Sequence, residues 1–362
     1  MASAAGNQNS KTATLPWLFS PAVDLLTFTG SAALALVLVA VGFQFGLIQR
    51  DTPEWAWVTA VLLIDVAHVY ATGFRVYFDR GELRRRPWLY SMAPLLSFAI
   101  GLAVYSESSD IFWRLLAYLA VFHFVRQQYG WIALYRAKGN ETDAAGKWVD
   151  TVAIYLATLY PLIYWHAHLP RRFWWFVPDD FVAAPVWLER VCFPVYCGAM
   201  ATYFGRSLFQ GVRHGHWNPG KDLVVLTTAV CWYVGIVSLN SDYAFTVTNV
   251  IIHGVPYMVL VYRMQKPDHD ATRSASSTAW IRVARFVGLI WLLAYAEELI
   301  WDKAIWGERA WLFGSSWGQL PWRGWLVPLL AVPQITHYIL DGFIWRRRSN
   351  RDVRDITSAD VA

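Results

Sequence analysis

Charged residues are scarce in this chain. They form 16% of its 362 residues, whereas a typical soluble domain carries about 25%. Hydrophobic residues reach 56%, and this composition excludes a disordered chain, a coiled coil and almost every ordinary soluble enzyme. Cysteine is scarcer still, and three residues cannot build a disulfide scaffold. The remaining class is a polytopic membrane protein.

Ten apolar segments are long enough to cross a bilayer, because about 20 helical residues span its hydrocarbon core. Backbone polar groups stay paired in lipid only within helices or closed barrels, and the alternation typical of a barrel strand is absent. The sequence therefore predicts an all-α membrane bundle of about ten transmembrane helices. The predicted segments are residues 24–48, 55–74, 88–105, 111–135, 148–166, 187–205, 222–239, 243–263, 284–301 and 325–345.

Lysine and arginine are concentrated in alternate connections. The loops after the second, fourth, sixth and eighth segments, together with both tails, hold 22 of the 31 basic residues. Cytoplasmic loops carry such an excess, so both termini are predicted to be cytoplasmic, in the bacterial inner (plasma) membrane. The net charge of +5 then reflects topology, and no nucleic-acid partner is expected. The predicted parts are mobile tails over 1–22 and 347–362, the second one basic, and a transmembrane domain over 23–346.

Four histidines lie inside the predicted helices, and the other five fall in loops. His68, His123, His253 and His337 stand ten to thirteen residues from the outer ends of their segments, on four helices of the same direction. At about 1.5 Å per residue, they share one layer near the membrane midplane. Ionisable groups inside a span are costly and mark functional sites. The pattern predicts a shared metal or cofactor site, with structural histidines or a transport path as alternatives.

Polar residues accompany these histidines within one helical turn, where side chains share a face. A metal-bound imidazole usually donates its other N–H to a carboxylate or carbonyl, and Asp65 and Asp341 are the first candidates for this role from an adjacent helix. The full set of predicted supporting residues is Asp65, Gln127, Asn249, Tyr257 and Asp341. Arg126 is expected either to pair with Asp65 or Asp341 or to bind an anionic group.

The ligand type narrows the choice of metal or cofactor. Imidazole suits zinc, copper, iron and nickel. A structural zinc site more often includes cysteine, and the three cysteines lie on helices without a central histidine. Iron with open coordination positions fits a buried oxygenase, since dioxygen and lipophilic substrates both concentrate in the bilayer. Haem b with two axial histidines is the alternative, whereas the missing Cys-x-x-Cys-His motif excludes c-type haem.

Four short strings resemble the histidine segments of the Brp/Blh-like β-carotene 15,15′-dioxygenases. They are IDVAHVYAT at 64–72, FHFVRQQYG at 122–130, IIHGVPY at 251–257 and THYILDGFIWR at 336–346. The resemblance implies a polytopic enzyme in which histidines hold a non-haem iron and dioxygen splits a carotenoid. Tyr257 stands where that family has a second histidine, and this chain is longer, with more predicted spans.

The resulting hypothesis is an integral membrane non-haem iron oxygenase that acts with dioxygen on a long isoprenoid, carotenoid or acyl lipid. The predicted iron ligands are His68, His123, His253 and His337. Membrane lipid and the lipophilic substrate are the expected partners, and a protein partner within the membrane stays open. The alternatives are a haem-b-binding electron-transfer subunit and a metal-free transporter or scaffold with a buried polar network.

Overall fold

The structure is a computed structural model that describes residues 15–265, 275–318 and 320–358. These residues form helices and connections without any strand, so the all-α prediction is confirmed. Each predicted segment corresponds to one long helix. The helices are α1 (Pro21–Gln44), α2 (Glu54–Arg75), α3 (Pro87–Glu107), α4 (Ser109–Lys138), α5 (Ala144–Ala167), α6 (Val186–His214), α7 (Pro219–Ser238), α8 (Asp242–Met264), α9 (Ala275–Trp301) and α10 (Arg323–Ile344). Residues 1–14 of the predicted N-terminal tail lie outside the described residues.

Six of these helices are long and apolar enough to cross a membrane, namely α1, α2, α3, α7, α8 and α10. The outer surface is also apolar, with the side chains of Leu26, Ile100 and Phe122 more than half exposed. Large apolar surfaces are unusual where a protein meets water. Together these features indicate an integral membrane protein. The other four long helices are more polar, as α4 is with Arg114 and Arg126 in its sequence.

Helix α8 is the centre of the bundle. In its most apolar stretch 83% is buried inside the protein, and it packs against α1, α2 and α7. Helix α10 packs against α3 and contacts α2 and α4. Helix α6 lies at the periphery, where its buried residues are Tyr196, Tyr203 and Gly211. Contacts of α2 with α8 and of α10 with α2 and α4 therefore bring together the four helices that carry the central histidines.

Polar side chains mark the beginning of several helices. Ser108, Asp143 and Ser241 accept hydrogen bonds from backbone N–H groups in the first turns of α4, α5 and α8. Those N–H groups have no partner within the helix, and a side-chain oxygen at this position typically stabilises the helix by about 1 kcal/mol. The caps therefore help to define where two of the histidine-bearing helices start.

Two of the histidine-bearing helices are irregular close to their histidines. Helix α2 contains a π-helical stretch, Trp57–Val66, that ends two residues before His68. Helix α10 is interrupted at Ala331, and Pro333 follows within the first turn of the segment that carries His337. Proline removes one backbone N–H, and π-helical turns often occur at functional sites. These irregularities give each histidine segment its own direction within the bundle.

The C-terminal segment is packed, in contrast to the predicted mobile tail. A short helix over Arg351–Thr357 follows α10. Val353 is fully buried, and Asp352 forms an ion pair of 2.8 Å with Arg75 on α2. Burial and pairing offset the entropy lost on ordering this segment, and residues 359–362 of the predicted tail lie outside the described residues. Leu18 is also buried, so the predicted N-terminal tail is packed in part.

Candidate metal centre

The four central histidines meet in the middle of the bundle. His68 lies on α2, His123 on α4, His253 on α8 and His337 on α10, and each side chain is at most 4% exposed. In five of the six pairs, the ring centroids are between 4.5 and 6.4 Å apart. The structure therefore brings together all four histidines that the sequence predicts to share a site.

The imidazole rings present the same nitrogen to one another. Nε2 of His68 lies 3.1 Å from Nε2 of His253, and Nε2 of His337 lies 3.1 Å from Nε2 of His123. One potential ligand atom each from His68, His123 and His253 lie within 4.8 Å of one another, and a second such group joins His123, His337 and Asp341. The centre is therefore built from two imidazole pairs, and His123 belongs to both groups.

A chain of hydrogen bonds determines where the proton of His337 lies. The Trp345 indole and the Tyr257 hydroxyl both donate to Oδ1 of Asp341, at 3.2 and 2.7 Å. Because the tyrosine proton is used in this way, Thr72 donates its own proton to the tyrosine oxygen over 2.8 Å. With Asp341 ionised, Nδ1 of His337, 2.7 Å from Oγ1 of Thr72, is then the donor. Nε2 of His337 keeps its lone pair, which faces the centre.

Carboxylates lie beside the outer nitrogens of the other rings. Oδ1 of Asp65 is 3.6 Å from Nδ1 of His68 on the same helix. Oδ2 of Asp341 is 3.8 Å from Nδ1 of His123, which belongs to a neighbouring helix. These separations are too long for hydrogen bonds, but a nearby negative charge favours a proton on the nitrogen that faces it. Both predicted carboxylates therefore lie where they favour protonated Nδ1 atoms.

Two aromatic rings pack against the imidazoles from a second helix. Phe124 of α4 stacks on His253 of α8 with ring centroids 3.5 Å apart. Tyr338 of α10 stacks on His123 of α4 with centroids 4.6 Å apart. Each aromatic residue follows a central histidine in the sequence. One helix thus supplies both a candidate ligand and a ring that orients the ligand of its neighbour.

Gln127 and Asn249 contact backbone rather than imidazole nitrogens. Gln127 donates from Nε2 to the carbonyl of His253 at 2.9 Å. Asn249 donates from Nδ2 to the carbonyl of Phe245 at 3.0 Å. Both amides therefore stabilise the backbone of α8 around His253. Among the predicted supporting residues, the side chains of Asp65, Tyr257 and Asp341 lie beside an imidazole ring.

Arg126 does not form the ion pair considered from the sequence. Its guanidinium donates to the Tyr155 hydroxyl and lies 4.8 Å from the ring centroid of Tyr129. In the part of the chain that the structure describes, no carboxylate lies within 4 Å of this guanidinium, so neither Asp65 nor Asp341 is its partner. The alternative that remains for Arg126 is the binding of an anionic group.

Thr72 is the functional residue that sequence reasoning missed. It follows His68 by four residues and therefore shares a face of α2 with it. Its side chain is 3% exposed and touches both His337 and Tyr257. A search for hydroxyl groups in the histidine layer would have found Thr72, whereas charge alone directed attention to the carboxylates.

The donor set is chemically uniform. Four imidazoles are buried from water, with a carboxylate beside the outer nitrogens of His68 and His123 and a hydroxyl beside that of His337. Such a set suits a divalent transition metal ion. The three cysteines, Cys192, Cys197 and Cys231, lie on α6 and α7 and take no part in it.

No protein-family model, curated protein or solved structure matches this chain. The function is therefore inferred from the site alone.

Proposed function

We propose that this protein is an integral membrane oxygenase in which His68, His123, His253 and His337 hold a non-haem iron ion. The observation that carries the proposal is the shared orientation of the rings, whose Nε2 atoms pair at 3.1 Å across the centre. A structural histidine pair at this distance needs a proton on one of the two Nε2 atoms, so the proton positions distinguish it from a metal site.

The proton positions favour a cation at the centre. Nδ1 of His337 is a donor to Thr72, and Oδ2 of Asp341 beside Nδ1 of His123 favours a proton there as well. With both protons on the outer nitrogens, two Nε2 lone pairs face each other at 3.1 Å. Lone pairs repel at that distance unless a positive charge lies between them. The residues present therefore fit a metal ion.

The spacing of the imidazoles favours a bare ion over haem b. Two axial histidines of a haem face each other across the porphyrin plane, with an iron–nitrogen bond on each side. Imidazole–metal bonds are about 2.0–2.1 Å long, so Nε2 atoms 3.1 Å apart are closer than two bonds laid end to end. Such a pair suits adjacent ligands of one ion and leaves no space for a macrocycle.

A bound iron ion would supply the activation of dioxygen at an open coordination position. The protein residues contribute the surroundings of that chemistry. Thr72 and Asp341 keep the outer nitrogens of His337 and His123 protonated, so that the inner nitrogens stay available as ligands. Phe124 and Tyr338 hold ring orientation by stacking. The surrounding helices exclude water, which suits a long isoprenoid, carotenoid or acyl lipid as substrate.

The same proposal includes a topology of ten spans with both termini cytoplasmic, in the bacterial inner membrane. It is supported by the basic residues, 22 of 31 of which fall on one predicted side, as the positive-inside rule requires. Tagging of each connection with an enzyme active only in the cytoplasm tests this part. A reporter signal from the loop after α3 would contradict it.

Elemental analysis of the protein purified in detergent tests the metal. We expect about one iron per chain, since four buried imidazoles offer their donor atoms to a single ion, and little iron in His123→Ala or His253→Ala. His214→Ala changes an exposed histidine at the end of α6 and is the matched control with unchanged iron. A Soret absorption band, or iron content that is the same in His123→Ala, would overturn the proposal.

Oxygen consumption by the iron-loaded protein then tests the reaction class. β-Carotene is the first substrate to examine, and a long-chain acyl lipid is the second. We expect dioxygen uptake that depends on one of these lipids and is lost in His253→Ala. Uptake that is equal in the absence of any lipophilic substrate would argue against an oxygenase.

A further inference from the structure

A cavity of about 880 Å³ adjoins the histidine cluster. It runs along α4 from Tyr118 to Ala137, a length of about 28 Å at 1.5 Å per residue. His123 lies in its wall, so the cavity reaches the candidate metal centre. Phe122 and Leu159 line it as well and are exposed on the outer surface. The cavity therefore opens toward the side of the bundle that lipid would cover.

The wall of the cavity is largely apolar. Val125 and Leu134 of α4 face it, and Leu260 of α8 closes the opposite side. Its volume falls within the range of about 300–1,000 Å³ that is usual for small-molecule sites. An elongated apolar space that opens to lipid is suited to a hydrocarbon chain, because the chain can enter without crossing water.

The cavity is positively charged in the stretch between the histidine cluster and the end of α10. Arg126, Arg346 and Arg347 line this stretch, and all three are exposed. Asp341 is the one carboxylate among the described lining residues, and its Oδ1 is already occupied by two donors. The described lining residues therefore carry an excess of positive charge.

Arg126 is the unusual member of this group. Arg346 and Arg347 follow the last turn of α10, where basic residues are expected from topology. Arg126 instead lies one turn from His123 in the interior of α4, where a charge is costly unless it is paired. Its contacts are the neutral side chains of Tyr155 and Tyr129. Its planar guanidinium is suited to bind a carboxylate or phosphate through two hydrogen bonds.

We propose that the cavity binds a long-chain lipid with a carboxylate or phosphate head group. The head group pairs with Arg126, and the hydrocarbon chain lies along α4 against the histidine cluster. This inference rests on the proposed function in one respect, since only an oxygenase would make the bound lipid a substrate. It names an anionic amphiphile as the substrate class, in contrast to an uncharged hydrocarbon.

Equilibrium binding of radiolabelled palmitate to the full chain in neutral detergent tests the inference. Competitors of matched chain length separate the two contributions, namely hexadecyl phosphate and hexadecanol. We expect hexadecyl phosphate to compete as palmitate does and hexadecanol to compete about tenfold more weakly, because one charge-assisted interaction corresponds to about that factor. Equal competition by hexadecanol would overturn the proposal.

Small anions identify the source of the binding energy. Acetate and inorganic phosphate carry the charge of the head group without the chain. We expect both to compete at least tenfold more weakly than hexadecyl phosphate, because most of the cavity wall is apolar. Competition by inorganic phosphate that matches hexadecyl phosphate would show a small-anion site, and the lipid proposal would then be wrong.

Three variants locate the lipid within the cavity. Arg126→Gln should weaken palmitate binding about tenfold and leave hexadecanol binding unchanged. Ala133→Phe places a ring into the cavity at an exposed position, so both ligands should bind more weakly. Arg348→Gln is the matched control, because Arg348 follows the two lining arginines and is not part of the lining. Unchanged palmitate binding by Arg126→Gln, in protein that elutes as the parent does, would contradict the assignment.

Palmitate binding can be tested separately from the presence of the metal. Binding is measured once on the protein as purified and once after iron is removed by a chelator. Protein that contains iron but binds palmitate no better than hexadecanol would overturn this inference and leave the proposed oxygenase intact. Protein that binds palmitate through Arg126 but contains no iron would support the lipid site and overturn the proposed function.

Discussion

Oγ1 of Thr72 lies 2.7 Å from Nδ1 of His337 and joins helix α2 to helix α10. With Asp341 ionised and accepting from Tyr257, the threonine hydroxyl donates onward to Tyr257 and accepts from the histidine. This one contact thereby keeps the proton on the outer nitrogen of the ring and leaves a lone pair on the inner nitrogen. Replacing a residue that holds the outer nitrogen of a metal-bound imidazole typically lowers metal affinity about 10–100-fold.

Replacement of the Thr72 hydroxyl should weaken metal binding. Thr72→Val keeps the shape of the side chain but leaves Nδ1–H of His337 without an acceptor. We expect iron affinity to fall about 10–100-fold, the usual effect of losing such a partner. Competition with a chelator of known affinity measures the change. Thr72→Ser retains the hydroxyl and should bind iron nearly as the parent does, and equal affinity of the valine variant would refute the role of Thr72.

Loss of the Tyr257 hydroxyl should act through Thr72. In Tyr257→Phe, Thr72 no longer has an acceptor and becomes free to donate to His337, which favours the opposite proton position. We expect a loss of iron affinity of about tenfold or less, because the threonine can still rotate back to accept. The double variant with Thr72→Val should be no weaker than Thr72→Val alone, since both act on one chain of hydrogen bonds. Additive losses would show that the two residues act separately.

Gly254 allows α8 to approach α2 next to the cluster. A Cβ at this position would lie 2.6 Å from Cγ2 of Ile64 and 3.2 Å from its carbonyl oxygen. Gly254→Ala should therefore push His253 away from His68, at a cost of about 1–3 kcal/mol in stability. We expect lower iron content and a lower thermal unfolding midpoint in detergent.

A matched glycine provides the control for Gly254. Gly288 of α9 has no atom within 4 Å of an added Cβ, so Gly288→Ala should keep both iron and stability. The double variant Gly254→Ala with Ile64→Ala removes the obstructing methyl group and should recover part of the iron. A lack of recovery would place the effect of Gly254 elsewhere than at the contact between α2 and α8.

Asp150 should matter for stability and not for the metal. Its buried carboxylate accepts hydrogen bonds from Arg136 and from Lys221, the latter at 3.0 Å. Asp150→Asn would remove one carboxylate shared by two buried cations, which keep Glu141 as a partner, and a lost hydrogen bond to a charged group costs about 1.5–3 kcal/mol. We expect a lower thermal midpoint with normal iron content in the folded fraction. Asp355→Asn changes an exposed acid in a weak pair of 3.9 Å with Arg351 and should leave the midpoint unchanged.

Much of the architecture was predictable from the sequence. All ten predicted segments are long helices, and six of them are apolar enough to cross a membrane, where a backbone surrounded by lipid has to be helical. The depth of His68, His123, His253 and His337 followed from the constant rise of the helix along each segment. Loop charge and composition also indicated the membrane class without any knowledge of packing.

The neighbours of each histidine were decided by tertiary structure. Both the lipid-facing and the buried side of a membrane helix are apolar, so the pattern contains little information on how a helix is rotated about its axis. Thr72 beside His337, Phe124 against His253 and Tyr155 beside Arg126 all depend on that rotation. The sequence by itself therefore determined the helices and the layer in which the imidazoles lie. Only the packing of the bundle decided that their Nε2 atoms meet at one centre, because that requires four rotations to agree.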